Sequence, residues 1–447
     1  MNKNNIILWV GMMLSKSKLL LQGFFIRDTW HTLGPCDVLL VRHDNDCGYA
    51  YQGKAYAHLL DSFGDLCIKK GLKVRAVATP ISVLVGSRAY NSPVSYNQAH
   101  IIIGLFQRGL KTIKGTNVAL KWAKSHRVAM WCDILDKAEP KIVVGIQPDE
   151  YLCRAGKKKG IPVYDLQHGV IADEHPWYGE NYRISTPIED LPDGFLCWDE
   201  QSVATIAKWA GKKDIRVIKI GNPWFLRFFQ DDPNDNLVSE AIAQRKKHQG
   251  ARPTILVSLQ WGMLQQEVSS NGILVDALEK VIIETIDQYN WILRLHPVQL
   301  RSEERKTVLK YLTGTFGAEK AQEWLESSQD ALPLVLHQAD LHITYNSTVV
   351  IEAAWMGVRS ALLDQKICNG DDKENYYAHE RSIGMVEVLP QDPTIIKQWI
   401  TNTLEKGRAK PTVQDSSQAI DAFIEEIADG ANNGGEFGRP SNQRSDI

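Results

Sequence analysis

The chain has 447 residues, 44% of them hydrophobic and 23% charged, with a formal net charge of −2. That length exceeds the roughly 250–300 residues at which one core stops growing, so two globular domains are expected, and the charge balance excludes a polycationic nucleic-acid binder. The seven cysteines are odd in number and form no C-x-x-C, which excludes a zinc or disulfide framework and points to a reducing cytoplasm.

Residues 6–26 are largely apolar but interrupted by Lys16 and Lys18. Two central lysines speak against a membrane span. The stretch also lacks a basic region followed by an unbroken apolar core and a small-residue cleavage site, so a secretory signal is not expected here. A packed or membrane-surface amphipathic segment is expected over 1–34. Residues 37–41 read as a buried strand, followed by a polar turn over 42–49, a helix over 54–70 and a strand over 72–79. In this β-α-β opening the polar loop lies at a strand's carboxyl end, where open parallel sheets place ligands. Its Asp44 and Asp46 are candidates for contacting a sugar or acting as a base, and equally for forming the turn. The spacing does not fit G-x-G-x-x-G.

A long helical stretch over 99–138 contains the breakers Gly104, Gly109 and Gly115, and a strand follows over 141–146. Lys157, Lys158 and Lys159 close a helix favourably for its dipole. The next strand runs into Gln167-His168-Gly169. Gly169 permits a tight turn that aims His168 out of the sheet edge. An imidazole is the most convenient general base for a hydroxyl acceptor, and as an imidazolium it holds phosphate; a structural histidine is the competing reading. Glu174 and His175, beside Trp177 and Tyr178, suit a sugar-contacting loop or a plain surface loop. Pro192-Asp193-Gly194 turns into a further strand, and Gly221-Asn222-Pro223 closes a first domain over 35–222.

The pattern then restarts. A strand over 254–259 precedes Gln260-Trp261-Gly262, and a strand over 290–295 ends in Arg294-Leu295-His296-Pro297. Helices are expected over 274–289, 302–312 and 318–327, and strands over 333–336, 341–345, 360–363 and 384–389. The strand over 341–345 feeds Asn346-Ser347-Thr348 and a helix to Trp355 that Gly357 stops. Such a helix start brings free N–H groups, the dipole and two hydroxyls to one spot, which suits an anion. Arg294 can offer phosphate two donors or pair structurally with an acid. With His296 beside it, and Glu352 one turn further in to reach ribose hydroxyls, the two strand ends read as a phosphate or diphosphate site. The second domain spans 223–405, and 406–447 holds a helix and a tail whose Gly, Asn and Ser content predicts disorder. Two rounds of β/α alternation give an α/β fold of two doubly wound Rossmann-like domains facing across a cleft.

At 166–170, 175–178, 221–223, 294–297 and 345–348 with Glu352, the chain resembles the GT-B glycosyltransferases of bacterial surface-polysaccharide assembly, in order over roughly 37–404. The His-Pro and Ser/Thr pair is similar to the donor site of bacterial sialyl-, polysialyl- and Kdo-transferases, which use CMP-sugars. It is also similar to the CDP-glycerol glycerophosphotransferases, where a His-Gly turn in the first domain supplies a candidate base. The acid-acid-Gly motif of sialyltransferases has a partial counterpart at Pro192-Asp193-Gly194. The resemblance implies a nucleotide-sugar donor, first a CMP-sugar such as CMP-Kdo or CMP-sialic acid. The second domain would hold it at Gln260, Trp261, Gly262, Arg294, His296, Pro297, Asn346, Ser347, Thr348 and Glu352. It implies a glycan or lipid-linked glycan acceptor at Gln167, Glu174 and His175, and a base at His168, with Asp44, Asp46 and Asp193 behind it. It implies no cofactor, no essential metal, no nucleic acid, and a cytoplasmic enzyme able to contact the inner membrane peripherally. CDP-glycerol-type transfer, a non-catalytic glycan-assembly protein of the same fold, and a nucleotide-sugar epimerase or hydrolase are the competing readings.

Overall fold

The computed structural model describes residues 20–230, 232–244, 252–261, 270–367, 373–411 and 416–429. The expectations for residues 1–19, for the tail from 430 and for Gly262 lie outside the described residues.

Among the described residues, eight strands precede residue 220: β1 (Val38–Arg42), β2 (Tyr49–Tyr51), β3 (Lys54–Tyr56), β4 (Val74–Ala78), β5 (Ile142–Gly145), β6 (Val163–Leu166), β7 (Gly194–Cys197) and β8 (Arg216–Lys219). β1, β5, β6 and β7 are buried along their whole length, as parallel strands covered by helices on both faces must be. The six long-range strands pair in the order β4-β1-β5-β6-β7-β8, all parallel. β2 and β3 instead form a separate hairpin, Tyr49 opposite Tyr56. Its tip, Gln52-Gly53, has φ of 51° and 71°, the left-handed pair that a two-residue hairpin requires. This hairpin takes residues expected to open a helix, so the helix begins at His58 and runs to Lys69.

The second sheet holds β9 (Thr254–Ser258), β10 (Asn290–Arg294), β11 (Leu341–Thr344), β12 (Arg359–Leu362) and β13 (Val386–Val388), in the order β10-β9-β11-β12-β13 and again parallel. In each sheet the first strand has its sequence successor on one side and a later strand on the other. β1 lies between β4 and β5, and β9 between β10 and β11. At such a reversal the loops leaving the carboxyl ends part and open a crevice. The chain therefore has the two-domain Rossmann-like, GT-B-type α/β architecture, with one such crevice in each lobe.

Two further expected elements differ. The strand expected over 333–336 is the helix Leu332–Gln338: Pro333 sits in its first turn, where no N–H is needed, and a four-residue apolar run has no period of its own. The helical stretch over 99–138 is two helices, Asn97–Lys114 and Thr116–Ala138, parted at Gly115 with φ of 83°. Gly104 and Gly109 stay inside the first of them.

The last helix, Ser417–Asp429, crosses back to the first lobe. Phe423 sits 6.3 Å from the Phe63 ring and 5.4 Å from that of Tyr164. Ile420, Ile424 and Ile427 are buried beside it, each contributing roughly 1.5–3 kcal/mol as burial of a large aliphatic side chain does. Glu426 pairs with Arg216 at 2.7 Å. The helix Pro223–Phe229 also joins the core of this lobe through Trp224, Phe225 and Leu226. No helix among the described residues is long and apolar enough to cross a membrane.

Candidate active site

The two crevices share one cavity of about 720 Å³ lined by both lobes. Two glycines mark how closely the walls approach. A methyl group on Gly169 would come within 3.2 Å of Thr348 Cγ2, and one on Gly48 within 2.7 Å of Pro297 Cγ. The His168-Gly169 turn of the first lobe thus lies against the Asn346-Ser347-Thr348 turn of the second. These two turns are 178 residues apart in sequence, and only the pairing of the lobes brings them together.

On the second-lobe wall, His296 caps the short 3-10 turn Pro297–Leu300. Its Nδ1 accepts the Val298 N–H at 3.2 Å. Nδ1 is therefore unprotonated, and the neutral ring carries its proton on Nε2. Burial pushes the His296 pKa down to about 4, with the Arg301 charge adding in the same direction. The ring lining the cavity is thus a neutral N–H donor. Gln299 completes the turn: its Oε1 accepts the His296 N–H at 2.8 Å, and its Nε2 donates to the Gln260 carbonyl at 2.8 Å. This ties the exit of β10 to that of β9. Sequence reading passed over Gln299, although a cap followed three residues later by Gln is a capping box. Trp261 lies near-parallel to the His296 ring at 21°, centroids 6.4 Å apart.

Arg294, Asn346 and Glu352 line the cavity, but each is held by protein partners. The Arg294 guanidinium donates to the carbonyls of Ser327 and Asp330 at 3.1 and 2.9 Å. Burial lowers its pKa to about 10, partly offset by Asp330 and Glu352. Asn346 donates to the buried Asp364 carboxylate at 2.9 Å and accepts the Tyr377 hydroxyl at 2.9 Å. Its amide sets the shape of the turn, which leaves Ser347 and Thr348 as the turn's side chains toward the cavity. The helix that follows is Val349–Trp355. Its first turn is tight, with the N–H groups of Val350 and Ile351 donating to the carbonyls of Ser347 and Thr348 at 3.1 and 2.9 Å. Two N–H groups that the sequence left free for an anion are thereby satisfied within the turn.

Glu352 is buried at the lobe boundary, where Asn222 of the first lobe donates to it at 3.4 Å. Burial raises its pKa to about 8 against the opposing pull of Arg294 and the Asn222 bond. A carboxyl raised in this way favours the fold while protonated. Its contribution is complete below the unfolded value of about 4.5 and is lost as pH rises through about 8. Glu352→Gln is therefore expected to match the parent in thermal unfolding near about pH 5 and to exceed it by roughly a few kcal/mol near about pH 9. A stability difference that does not change with pH would show that Glu352 is ionised in the fold.

On the first-lobe wall, His168 exposes its ring to the cavity. The surrounding atoms push its pKa below the ordinary imidazole value, while the Asp46 carboxylate pulls the other way. It is a neutral imidazole, available as a base. Asp46 also lines the cavity, and beside it stands a histidine that the sequence reading did not single out. His58 Nδ1 is 2.9 Å from the Asp46 carbonyl oxygen and 3.4 Å from its carboxylate. Both neighbours are acceptors, so Nδ1 carries a proton, and in the neutral ring Nε2 keeps the lone pair. His43 is the mirror case: its Nδ1 accepts the Asn45 N–H at 3.0 Å, and burial lowers its pKa against the pull of Asp44 and Asp46. His175 lines the cavity with Nδ1 accepting the Trp177 N–H at 3.1 Å. Burial, with His168 and Arg183 adding, brings its pKa to about 4. His43, His175 and His296 all use the same local device, a ring nitrogen accepting the N–H two residues on, and all present Nε2–H.

Four predicted residues do not line the cavity. Asp44 accepts the Val83 N–H at 2.9 Å and the Ser82 hydroxyl, so its carboxylate anchors the neighbouring loop. Asp193 precedes β7. It accepts the Val163 N–H at 2.9 Å and pairs with Lys157 at 2.7 Å. This is the amino end of the sheet, opposite the cleft, because only residues after a strand reach its carboxyl end. Gln167 is buried, donating to the Gly169 carbonyl and the Ser202 hydroxyl and accepting the Trp198 N–H at 2.7 Å. It braces the His168 turn from behind. Glu174 accepts from Asn375 of the other lobe and works as a latch between lobes.

No family model matches the chain, and no curated protein matches it. Solved structures do resemble it in fold. The UDP-GlcNAc 2-epimerase of Methanocaldococcus jannaschii, in complex with UDP-GlcNAc and UDP, superposes with a TM-score of 0.53 at 13% identity, covering 88% of this chain and all of that one. The UDP-GlcNAc 2-epimerase of Neisseria meningitidis bound to UDP-GlcNAc gives 0.51 at 13% identity over the same shares. The wall teichoic acid polymerase TagF with CDPG gives 0.50 at 13% identity over 97% of this chain and all of that one.

Proposed function

We propose that the chain is a transferase that moves a group from a nucleotide-activated donor, held by the second lobe, to a hydroxyl of a glycan or lipid-linked glycan in surface-polymer assembly. The observation that carries this reading is the meeting of the His168-Gly169 turn with Ser347 and Thr348 in the cavity that His296 also lines. A neutral base and a neutral N–H donor then stand on opposite walls. His168 takes the acceptor's proton as its oxygen attacks, and the His296 Nε2–H with the two hydroxyls receives the charge that develops on the leaving phosphate. An inverting transfer needs only that one base. A retaining one needs a carboxylate nucleophile, and of the first-lobe acids proposed from sequence Asp46 lines the cavity.

The sequence resemblance favours CMP-sugars. The fold neighbours whose structures carry UDP-GlcNAc or CDPG favour a nucleoside-diphosphate donor, and we place that class first. Thermal-shift titration with UDP-, CDP- and CMP-linked donors tests the choice, and stabilisation by none of them would sink the transferase reading. Replacing Ser347 and Thr348 together by alanine is expected to weaken donor binding by about tenfold or more, since each hydroxyl bond to a charged group is worth roughly 1.5–3 kcal/mol. Unchanged affinity would remove the turn from the donor site. The second reading is an epimerase, favoured by two of the neighbours. It predicts a change in the sugar of UDP-GlcNAc with no acceptor present.

A further inference from the structure

The chain is close to neutral overall, yet residues 66–132 contain eleven lysines and arginines and no aspartate or glutamate. The helix pair Asn97–Lys114 and Thr116–Ala138 lies largely in this stretch. The first of these helices has 18 residues, including Ile101, Ile102, Ile103, Leu105, Phe106, Leu110 and Ile113, and only Asn97 is buried. Ile113 at the tip is 79% exposed, Phe106 61% and Leu105 56%, with Val118 and Leu120 exposed on the partner helix. Residues 20–25 extend the apolar face with Leu21, Phe24 and Phe25. Between them runs a groove of about 700 Å³ that includes Leu20, Phe24, Ile101, Leu105 and Leu120 with Arg108 and Lys111. A water-exposed helix of this composition has no reason to carry so many large apolar side chains unless something covers them.

The charges say what covers them. Of the seven lysines and arginines on the two helices, Lys124 is taken by Glu150 and Asp190, Arg127 bonds Tyr151 and Gln107, and Lys137 stands in the last turn of the second helix. Arg108, Lys111, Lys114 and Lys121 make no ion pair among the described residues. The two acids of the pair, Asp133 and Asp136, lie at the far end, and Asp136 is engaged by Lys159. Apolar side chains rimmed by unpaired cations complement an anionic lipid surface, with the aliphatic stems in the interface and the heads at the phosphates. A second copy fits poorly, because a two-fold contact would bring the same cations face to face.

We propose that the 97–138 helix pair, with residues 20–25, docks the protein on an anionic bilayer. The placement joins the cleft. Ile81, in the groove, is a β-branched residue at φ of 66°. It is held there by Asn97, which accepts its N–H at 2.8 Å and donates to the Ser82 carbonyl at 2.8 Å. The residue before it, Pro80, lines the cleft, as do Tyr96 and Trp131 behind the helix pair. A docked bilayer therefore lies beside the first-lobe wall, where a lipid-linked acceptor of the reaction proposed above would enter. The docking itself does not depend on that reaction.

Flotation of the full chain with vesicles of phosphatidylcholine alone, and of phosphatidylcholine with about 30% phosphatidylglycerol, tests the surface. Partition is expected onto the anionic vesicles, at least about tenfold stronger than onto neutral ones and lost at about 0.5 M salt. Lys111→Glu with Lys114→Glu, and separately Leu105→Gln with Ile113→Gln, are each expected to lower it by about tenfold or more. All four side chains are exposed, so the variants keep the fold, which the donor-induced thermal shift checks in the same samples. Loss of that shift in the parent protein would refute the donor reading and leave the docking result standing. Absence of vesicle binding, or binding that the four substitutions leave unchanged, overturns the proposal. So does a stable dimer that binds no lipid and dissociates in Leu105→Gln with Ile113→Gln.

Discussion

Replacing His168 by alanine is expected to lower the transfer rate by about 10²–10⁴-fold while leaving donor binding intact, the range for loss of a positioned general base. Binding survives because His168 stands on the first-lobe wall, across from the turn that would hold the phosphate. The fold survives because Gln167, not His168, makes the turn's buried hydrogen bonds. The pH profile carries an independent signature. The base acts unprotonated, and the protein atoms around it, with His43 and His58, hold its pKa below the ordinary imidazole value. The acid limb of kcat/KM is therefore expected below about pH 6.5, the unperturbed position. His58→Ala is the matched control. If it costs more than His168→Ala, the base is the His58–Asp46 pair, whose Nε2 keeps its lone pair by the same hydrogen-bond logic.

The second large effect is expected at His296. Its ring does two jobs, capping the Pro297–Leu300 turn through Nδ1 and offering Nε2–H. His296→Asn keeps an acceptor for the Val298 N–H but has no donor at the Nε2 position. It should preserve thermal stability and lower the transfer rate by about 10²–10³-fold, as loss of a donor aimed at developing charge does. His296→Gln reaches further with an amide N–H and should restore part of the rate, at the expense of the cap, worth about 1 kcal/mol. Equal activity in the parent and His296→Asn would leave the ring a purely structural cap.

Much of the site was legible because a parallel strand announces its own carboxyl end. The apolar runs of β1, β6, β9, β10 and β11 stop at polar turns, and those turns contain Asp46, His168, Gln260, His296 and Ser347. The misplacements have two causes. Asp193 was read with its turn, but it precedes a strand, and that puts it at the opposite edge of the sheet. Gln167 and Glu174 flank a cleft loop, yet their hydrogen-bonding groups are taken by Ser202, Trp198 and Asn375, 31 to 201 residues away. His43 and His58 were missed because a histidine in a turn, or at a helix start, carries no local mark of which nitrogen is protonated.

What the sequence alone determines is local: two rounds of buried strand and helix, the polar turn closing each strand, and the acid-free basic stretch from 66 to 132. These depend on side-chain polarity at fixed spacing, which is written in the chain itself. What only the tertiary structure decided is which turns meet and which groups remain available once they do. Gly169 reaches Thr348, and Gly48 reaches Pro297, because two sheets reverse their strand order at facing crevices. The contact of His58 with Asp46, the raised pKa of Glu352 and the commitment of Asn346 to Asp364 follow from that packing. Hydrogen-bond partners and burial are properties of neighbours in space, and a single sequence does not list those neighbours.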